Sequence, residues 1–296
     1  MEYLEHNKIG DNMKITNKHS LPEIYEEAIR IRFEQNKIRR DKPSIGITRL
    51  IDSPYIYHLR DIHDDEIEMD VIDAFFAFRG SMVHQILEDV RIPNVQKEAY
   101  IQYQHKSGYL ISGVIDLITP SELVDYKVKS VNSMFYFNSF DALNNEQQLN
   151  CYAYLFEKVW SFFPCKKLLI RRIFFDWVAK KAKYESGYPQ SPFKEYECER
   201  WTKDKTENYI DERMELHLRT SNIPICSPEE RWQKKTVWAL MKDGQKRAVK
   251  IFQNQDDIPN VEKSYYIEER KGIDVRCVDY CNVNQWCEYY KDTYGG

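Results

Sequence analysis

No run of residues in this 296-residue chain is apolar for long enough to span a bilayer, and the opening Met1 to Lys8 carries no signal-peptide pattern. These absences point away from a membrane partner and toward an intracellular, cytoplasmic protein. An excess of positive charge is missing too. The 43 Lys and Arg against 47 Asp and Glu leave a net charge of -4, which argues against indiscriminate coating of DNA. A local basic groove stays open, because clustered charge sets the field near a site. There is no internal repeat, no low-complexity tract and no helicase motif, so any unwinding would fall to a partner such as a helicase or recombination protein. In a reducing compartment the seven Cys read as buried thiols or metal ligands rather than disulfides.

What is present fits a folded chain. A charged fraction of 30% beside a hydrophobic fraction of 42% is the balance of a globular protein and excludes wholesale disorder. Aromatics at 14%, including 21 Tyr, supply core and also rings able to stack on unpaired nucleotides. The length suits one large domain with appendages: an N-terminal helical extension over 1–44, a core over 45–220 and a C-terminal extension over 221–296.

The chain is organised around residues 108–130. Tyr109 to Ile118 is rich in β-branched and aromatic residues and reads as a strand. Thr119 to Glu122 is a turn, and Leu123 to Val128 a second short strand, giving a hairpin. Asp116 interrupts one apolar run, while Asp125 and Lys127 flank Tyr126 in the other. Two carboxylates on adjacent strands repel, and a divalent cation between them is the simplest relief. Lys127 lies two residues from Asp125, so the pleat sends both to one face. An ammonium beside a metal-bound acid pair suits a reaction that builds negative charge on phosphate.

Around the hairpin, Ser20 to Glu23 reads as a capping box opening a helix to about Arg40, with Ile24, Ala28, Ile31 and Ile38 inward. Residues 1–18 read as a frayed polar terminus, and the six acids of 61–70 as a solvated loop or helix start. A helix over Val71 to Val90 presents Val83, Ile86, Leu87 and Val90 as an apolar stripe beside His84, with Gly80 one turn earlier. Glu98 to Tyr103 is a strand; Glu98 either aids a metal site or is a strand-edge carboxylate. Glu146 to Phe162 is helical, with Gln148 and Tyr152 one turn apart on one face. Lys166 to Lys183 alternates apolar and basic residues and reads as a strand and hairpin arm. Its seven cations against Asp176 make it a candidate phosphate-tracking surface, led by Arg171, Arg172, Lys180 and Lys181, or a solvated sheet face. Trp201 to Arg219 is a charged amphipathic helix with Tyr209, Met214 (or Ile210) and Leu216 or Leu218 inward. Lys234 to Lys250 reads as a basic hairpin turning at Gly244.

Four pieces in order resemble the RecB-like exonuclease branch of the PD-(D/E)XK nuclease superfamily. They are Gly80 and His84 on a helix, Gly113 to Asp116, Asp125-Tyr126-Lys127, and Gln148 to Tyr152, spread over about seventy residues. The resemblance implies an α/β (α+β) fold with a central mixed sheet flanked by helices. It implies one or two Mg²⁺ or Mn²⁺ ions held by His84, Asp116, Asp125 and the backbone carbonyl of Tyr126. Lys127 would orient water or stabilise the developing oxyanion, and Gln148 and Tyr152 would position water, phosphate or DNA. Metal-dependent hydrolysis of DNA from its ends, in recombination, repair or processing, is the leading expectation. A structure-specific endonuclease, or a catalytically silent nucleic-acid-binding module of the same fold, are the alternatives.

Cys277, Cys281 and Cys287, with Cys226 about fifty residues upstream, have the spacing of a four-sulfur site. The resemblance adds that many RecB-like nucleases hold a structural iron–sulfur cluster with three C-terminal Cys and one early Cys. Here that early position is Ser53, leaving Cys226 as fourth ligand. A 4Fe-4S cluster, Zn²⁺ and unligated small thiols all remain open on spacing alone.

Overall fold

The computed structural model describes residues 14–35, 43–134, 139–160 and 166–295. The first thirteen residues of the expected frayed terminus, the helix end near Ile38 to Arg40, and Cys165 lie outside them. Contacts divide the chain into two compact units, Met1–Ile223 and Pro224–Gly296.

In the first unit the elements run β1 (Lys14–Thr16), α1 (Glu23–Gln35), β2 (Ser44–Gly46), α2 (Ile47–Ile51), α3 (Pro54–Ile62), β3 (Glu68–Asp70), α4 (Phe75–Asp89) and β4 (Gln96–Gln104). They continue with β5 (Leu110–Ile118), β6 (Glu122–Lys129), α5 (Ser139–Val159), β7 (Lys167–Phe174), α6 (Ala179–Tyr184), β8 (Phe193–Cys198) and α7 (Lys203–His217). The central sheet is mixed, in the order β2-β5-β6-β7-β8, with β4 paired to β5. The fold is therefore α/β with a mixed sheet flanked by helices, as expected.

The turn expected between the two key strands forms as its residues dictate. Thr119 Oγ1 accepts from the Glu122 N–H at 3.1 Å, and the Thr119 N–H reaches the Glu122 carbonyl at 2.9 Å. The residues of β6 and β7 pair in parallel register, Asp125 with Ile170 and Lys127 with Arg172. A parallel pair needs a long crossover, and α5 supplies it. That helix is buried on nearly every side. Leu149, Ala153 and Leu155 are fully enclosed between Ile111, Ile115 and Ile170 of the sheet and Leu50, Ile210 and Met214 of α2 and α7. Sheet Gly113 lies under Tyr152, where a Cβ would strike the ring.

Several expectations need correction. In α1 the buried residue is Ile29, while Ile24 and Ile31 are 73% and 45% exposed. Ser20 does not cap that helix; Asn17 braces the turn, accepting from the Leu21 N–H at 2.8 Å. In α4, Ile86 and Val90 are exposed rather than inward. Its apolar residues lie on more than one face, so the stripe had no unique phase. The arm expected after β7 is the short helix α6, followed by β8 antiparallel to β7. Residues 14–16, expected to fray, form β1 in parallel with β3.

The second unit carries β9 (Gln233–Lys234), β10 (Val237–Lys242), β11 (Lys250–Phe252), β12 (Tyr265–Arg270), β13 (Ile273–Asp274) and α8 (Glu288–Tyr294). The expected hairpin is present as β10 and β11, turning at Gly244 with φ +76, and β12 adds a third strand. Asp274 is buried and accepts from the hydroxyls of Tyr289 and Tyr294 at 2.7 and 3.0 Å and from Arg231 Nε at 3.2 Å. These bonds tie α8 to β13.

Among the described residues no helix is long and apolar enough to cross a membrane.

Candidate active site

The site forms where two strands part. On one edge of β5, β2 pairs with residues 110–112 and β6 pairs only with Leu117 and Ile118. The register that joins Leu117 to Val124 puts Asp116 across from Asp125 at the first step beyond that ladder. The Tyr126 N–H, left without a strand partner there, donates to Asp116 Oδ2 at 2.6 Å. A buried N–H must find an acceptor, and a carboxylate makes a strong one. The sequence thus substitutes a side chain for the missing ladder bond and pins Asp116 at the fork.

Two groups converge on that carboxylate. His84, delivered by α4, places Nδ1 2.9 Å from Glu98 Oε1 and 3.6 Å from Asp116 Oδ1. Its ring meets Tyr126 edge-on at 6.2 Å. Glu98 comes from β4, where the pairs Lys97–Leu117 and Ala99–Ile115 set it opposite Asp116. Its backbone is left-handed, φ +46, an uncommon conformation for a side-chain-bearing residue within a strand. The donor atoms of His84, Glu98 and Asp116 lie within 4.8 Å of one another.

Electrostatics records the crowding. Burial, then the nearby charge of Asp125, raises the Asp116 carboxyl to about 7, against smaller opposing effects from His84 and the Tyr126 N–H. The hydrogen bond that His84 donates to Glu98 raises its imidazole, opposed by burial and reinforced by the Asp116 charge. A carboxylate at Nδ1 fixes the imidazole tautomer and leaves Nε2 its lone pair.

A second group lies across the fork. Asp125 is 4% exposed, and the alternation of β6 puts it with Leu123 and Lys127 on the α5 side, away from Tyr126. Lys127 Nζ stands 2.8 Å from Asp125 Oδ2 and donates to Gln148 Oε1 at 2.9 Å. Gln148 Nε2 in turn donates to the buried Tyr152 hydroxyl at 3.4 Å. The contact between Lys127 and Asp125 is an ion pair without hydrogen-bond geometry, and Asp125 Oδ2 is buried with no hydrogen-bond partner. The Lys127 ammonium offsets part of the cost of burying that carboxylate.

All six residues expected at the site thus lie around one fork: His84 and Asp116 as one group, and Asp125, Lys127, Gln148 and Tyr152 as the other. The charge of Asp125 acting on Asp116 and His84 links the two. Tyr126 enters through its N–H. Asp125 stands outside the tight trio, whose third member is Glu98. The sequence left Glu98 undecided; its one signal was a lone acid in a strand preceding the hairpin, and only the register puts it opposite Asp116. An imidazole with carboxylate oxygens is a donor set that could hold a divalent metal ion.

The basic residues separate. Arg171 lies in ion pairs with Glu122 at 3.1 Å and Glu195 at 2.8 Å. Arg172 is buried, 4% exposed, its guanidinium 5.0 Å from the Tyr196 ring centre. Lys180 and Lys181 are exposed on α6.

In the second unit, Cys226, Cys277 and Cys287 are buried and Cys281 is half-buried. Burial raises the Cys277 thiol to about 12, and the charges of Asp274, Cys226, Cys281 and Cys287 add to it. The four thiols are thus neighbours, although they are not a group with donor atoms within 4.8 Å of one another. Ser53 is fully buried at the start of α3 in the first unit.

No family model matches the chain, and no curated protein does. Among solved structures, the crystal structure of SSO0001 superposes with a TM-score of 0.48 at 16% identity, covering 71% of this chain and 91% of that one.

The raised Asp116 value has a consequence for stability. Because it lies above the ordinary 3.8, the folded chain holds a proton that the unfolded chain releases between about pH 4 and 7. Metal-free stability therefore falls as pH rises through that window. Asp116→Asn removes the penalty and keeps an oxygen for the Tyr126 N–H. In chelator its denaturation free energy should exceed wild type by about 1–3 kcal/mol at pH 8 and converge with it near pH 4. A difference that does not change with pH contradicts the assignment.

Proposed function

We propose that this chain is a Mg²⁺- or Mn²⁺-dependent nuclease that hydrolyses phosphodiester bonds from the ends of DNA. The observation that carries the reading is the fork between β5 and β6. Two opposed acids meet there in a buried setting with an imidazole on one side and an ammonium on the other. The crowding of Asp116 by the charge of Asp125, which with burial raises the Asp116 carboxyl to about 7, supports a cation at this point. His84, Asp116 and Asp125 would hold it, with Glu98 beside them. When bound, a divalent ion there supplies Lewis-acid polarisation of phosphate and acidification of water.

The chain's own groups set the geometry around that chemistry. Lys127 extends from the same strand face as Asp125, and its ammonium offsets charge that develops on the phosphate oxygens. Gln148 holds Lys127 in place and, anchored by Tyr152, aims an amide at the same point. Glu98 holds the His84 ring. Tyr126 presents its backbone to the fork through the bond to Asp116.

For the second unit, the reading is a structural four-sulfur site at Cys226, Cys277, Cys281 and Cys287. The resemblance to RecB-like nucleases, many of which hold an iron–sulfur cluster with three C-terminal Cys, is what favours a cluster over one zinc ion. The cluster's contribution is to tie Cys226 to the C-terminal run.

Two experiments test these readings. End-labelled linear DNA and a closed circle are incubated with Mn²⁺ and the purified protein. Linear DNA is degraded and the circle spared; Asp125→Ala and Lys127→Ala each lose about 100-fold or more of the rate with an unchanged circular-dichroism spectrum. Equal rates for wild type and Asp125→Ala would sink the assignment, and nicking of the circle would replace the exonuclease with an endonuclease. Separately, anaerobically purified protein should be brown, and Cys277→Ser should bleach it. A colourless protein with stoichiometric zinc, or with no metal, refutes the cluster.

A further inference from the structure

In the second unit, the ribbon of β9 and β13 leads out of a turn built on the wrong kind of residue. The Gln233 N–H bonds to the Pro228 carbonyl at 2.9 Å and the Trp232 N–H to the Glu229 carbonyl at 3.0 Å. That is the Schellman pattern, whose left-handed position is ordinarily Gly. Here it is Trp232, with φ +55. A bulky residue in that conformation is a backbone outlier, and such outliers gather where ligands are held. The turn leaves the indole in solvent. Trp232 is 42% exposed, and the Tyr280 ring, 66% exposed, lies 5.4 Å from it at 58°. The Arg276 guanidinium stands 5.4 Å from the Trp232 ring centre and donates to the Glu230 carbonyl at 3.2 Å. Tyr280 lies between Cys277 and Cys281 in the chain, so the proposed sulfur site would fix the turn that carries it.

Charge in the ribbon is of one sign. Residues 231–236 and 270–276 hold Arg231, Lys234, Lys235, Arg270, Lys271 and Arg276 against the single acid Asp274. The two segments run side by side. Lys234 pairs with Ile273, the Arg276 N–H reaches the Arg231 carbonyl at 3.0 Å, and Gly272 packs on the backbone of Lys234 to Thr236. Asp274 is occupied by Arg231 and two tyrosines, and Arg270 pairs with Glu268 at 2.7 Å. Of the acids flanking the rings, Glu230 accepts from the Ser227 N–H at 2.9 Å and Asp279 is exposed. Lys234, Lys235 and Lys271 are exposed and, among the described residues, make no ion pair.

We infer that Trp232 and Tyr280 form a stacking platform for an unpaired base, with Lys234, Lys235 and Lys271 holding the adjoining phosphates of a single DNA strand. Aromatic faces accept any base, and ammonium groups track the backbone. Protein–protein interfaces enrich Trp and Tyr but deplete Lys, whereas a nucleic-acid strand uses both. The inference takes its ligand from the nuclease reading and adds a contact on residues that the fork does not use.

The test uses the full chain in buffer free of divalent ions, where no cleavage competes. Two fluorescein-labelled oligodeoxynucleotides of equal length are compared, one of thymidines and one of abasic sites, by anisotropy over a range of KCl concentrations. Wild type should prefer the thymidine strand by about 10-fold, the ratio expected of one stacked base. Trp232→Gly removes the ring and suits the left-handed backbone, so it should lose most of that preference with an unchanged circular-dichroism spectrum. Tyr280→Ala, at an exposed position, reports the same loss should the glycine variant fail to fold. Lys234→Ala/Lys271→Ala should keep the preference but bind both strands more weakly, its log–log salt slope reduced by about 1.4, two phosphates at about 0.7 each. Equal binding of the two strands by wild type, or an undiminished preference without the rings, overturns the platform. An unchanged slope in the lysine variant overturns the phosphate contacts. Mn²⁺-dependent cleavage is scored in parallel. Ring-dependent binding without any cleavage keeps the platform and removes the nuclease; cleavage by a protein whose binding ignores the rings does the reverse.

Discussion

The structure depends on the early parting of β5 from β6. Had the ladder continued past Leu117 and Val124, the Tyr126 N–H would have bonded to backbone and Asp116 would be an ordinary strand residue. Because it stops, one carboxylate is drawn in to satisfy a buried donor and held opposite a second acid. Burial first, and then the repulsion of the second acid, holds the Asp116 carboxyl far above its usual range. On the proposed reading, that local penalty presents oxygen ligands already gathered, the preorganisation a cation site requires.

The rest of the first unit can be read as support for that fork. Helix α5, enclosed by sheet on one side and by α2 and α7 on the other, is among the most buried elements, and it carries Gln148 and Tyr152. A site built on such an element is held rigidly. Gly113 lets Tyr152 lie directly on the sheet, which sets how far Gln148 reaches toward Lys127. From the other face, α4 is more exposed and contributes His84, steadied by the strained Glu98.

Much of this was legible in the chain. The hairpin, the strand at Glu98 to Tyr103, the α5 and α7 helices and the convergence of separate motifs all followed from turn chemistry, β-branched runs and the order of the motifs. What escaped had physical causes. The phase of α1 failed because Ile24, Ile29 and Ile31 offer competing stripes, and only contact with Val71 and Ala74 selects Ile29. Ile86 and Val90 failed for the same reason in α4. Glu98 escaped because its role comes from cross-strand register, which no local pattern encodes. Arg171 and Arg172 looked equivalent as neighbours in a basic strand, yet the pleat sends one to a pair of glutamates and the other to the face beside the acids.

The central claim is that the acids at the fork bind a divalent ion, and calorimetric titration of Mn²⁺ into the purified protein tests it most directly. Measured near pH 7 in two buffers of different ionisation enthalpy, wild type should bind saturably and release a fraction of a proton per ion, because Asp116 must ionise to coordinate. Asp116→Asn should bind more weakly and release less. Absence of saturable Mn²⁺ binding, or binding whose strength and proton release are the same in Asp116→Asn, would contradict the account.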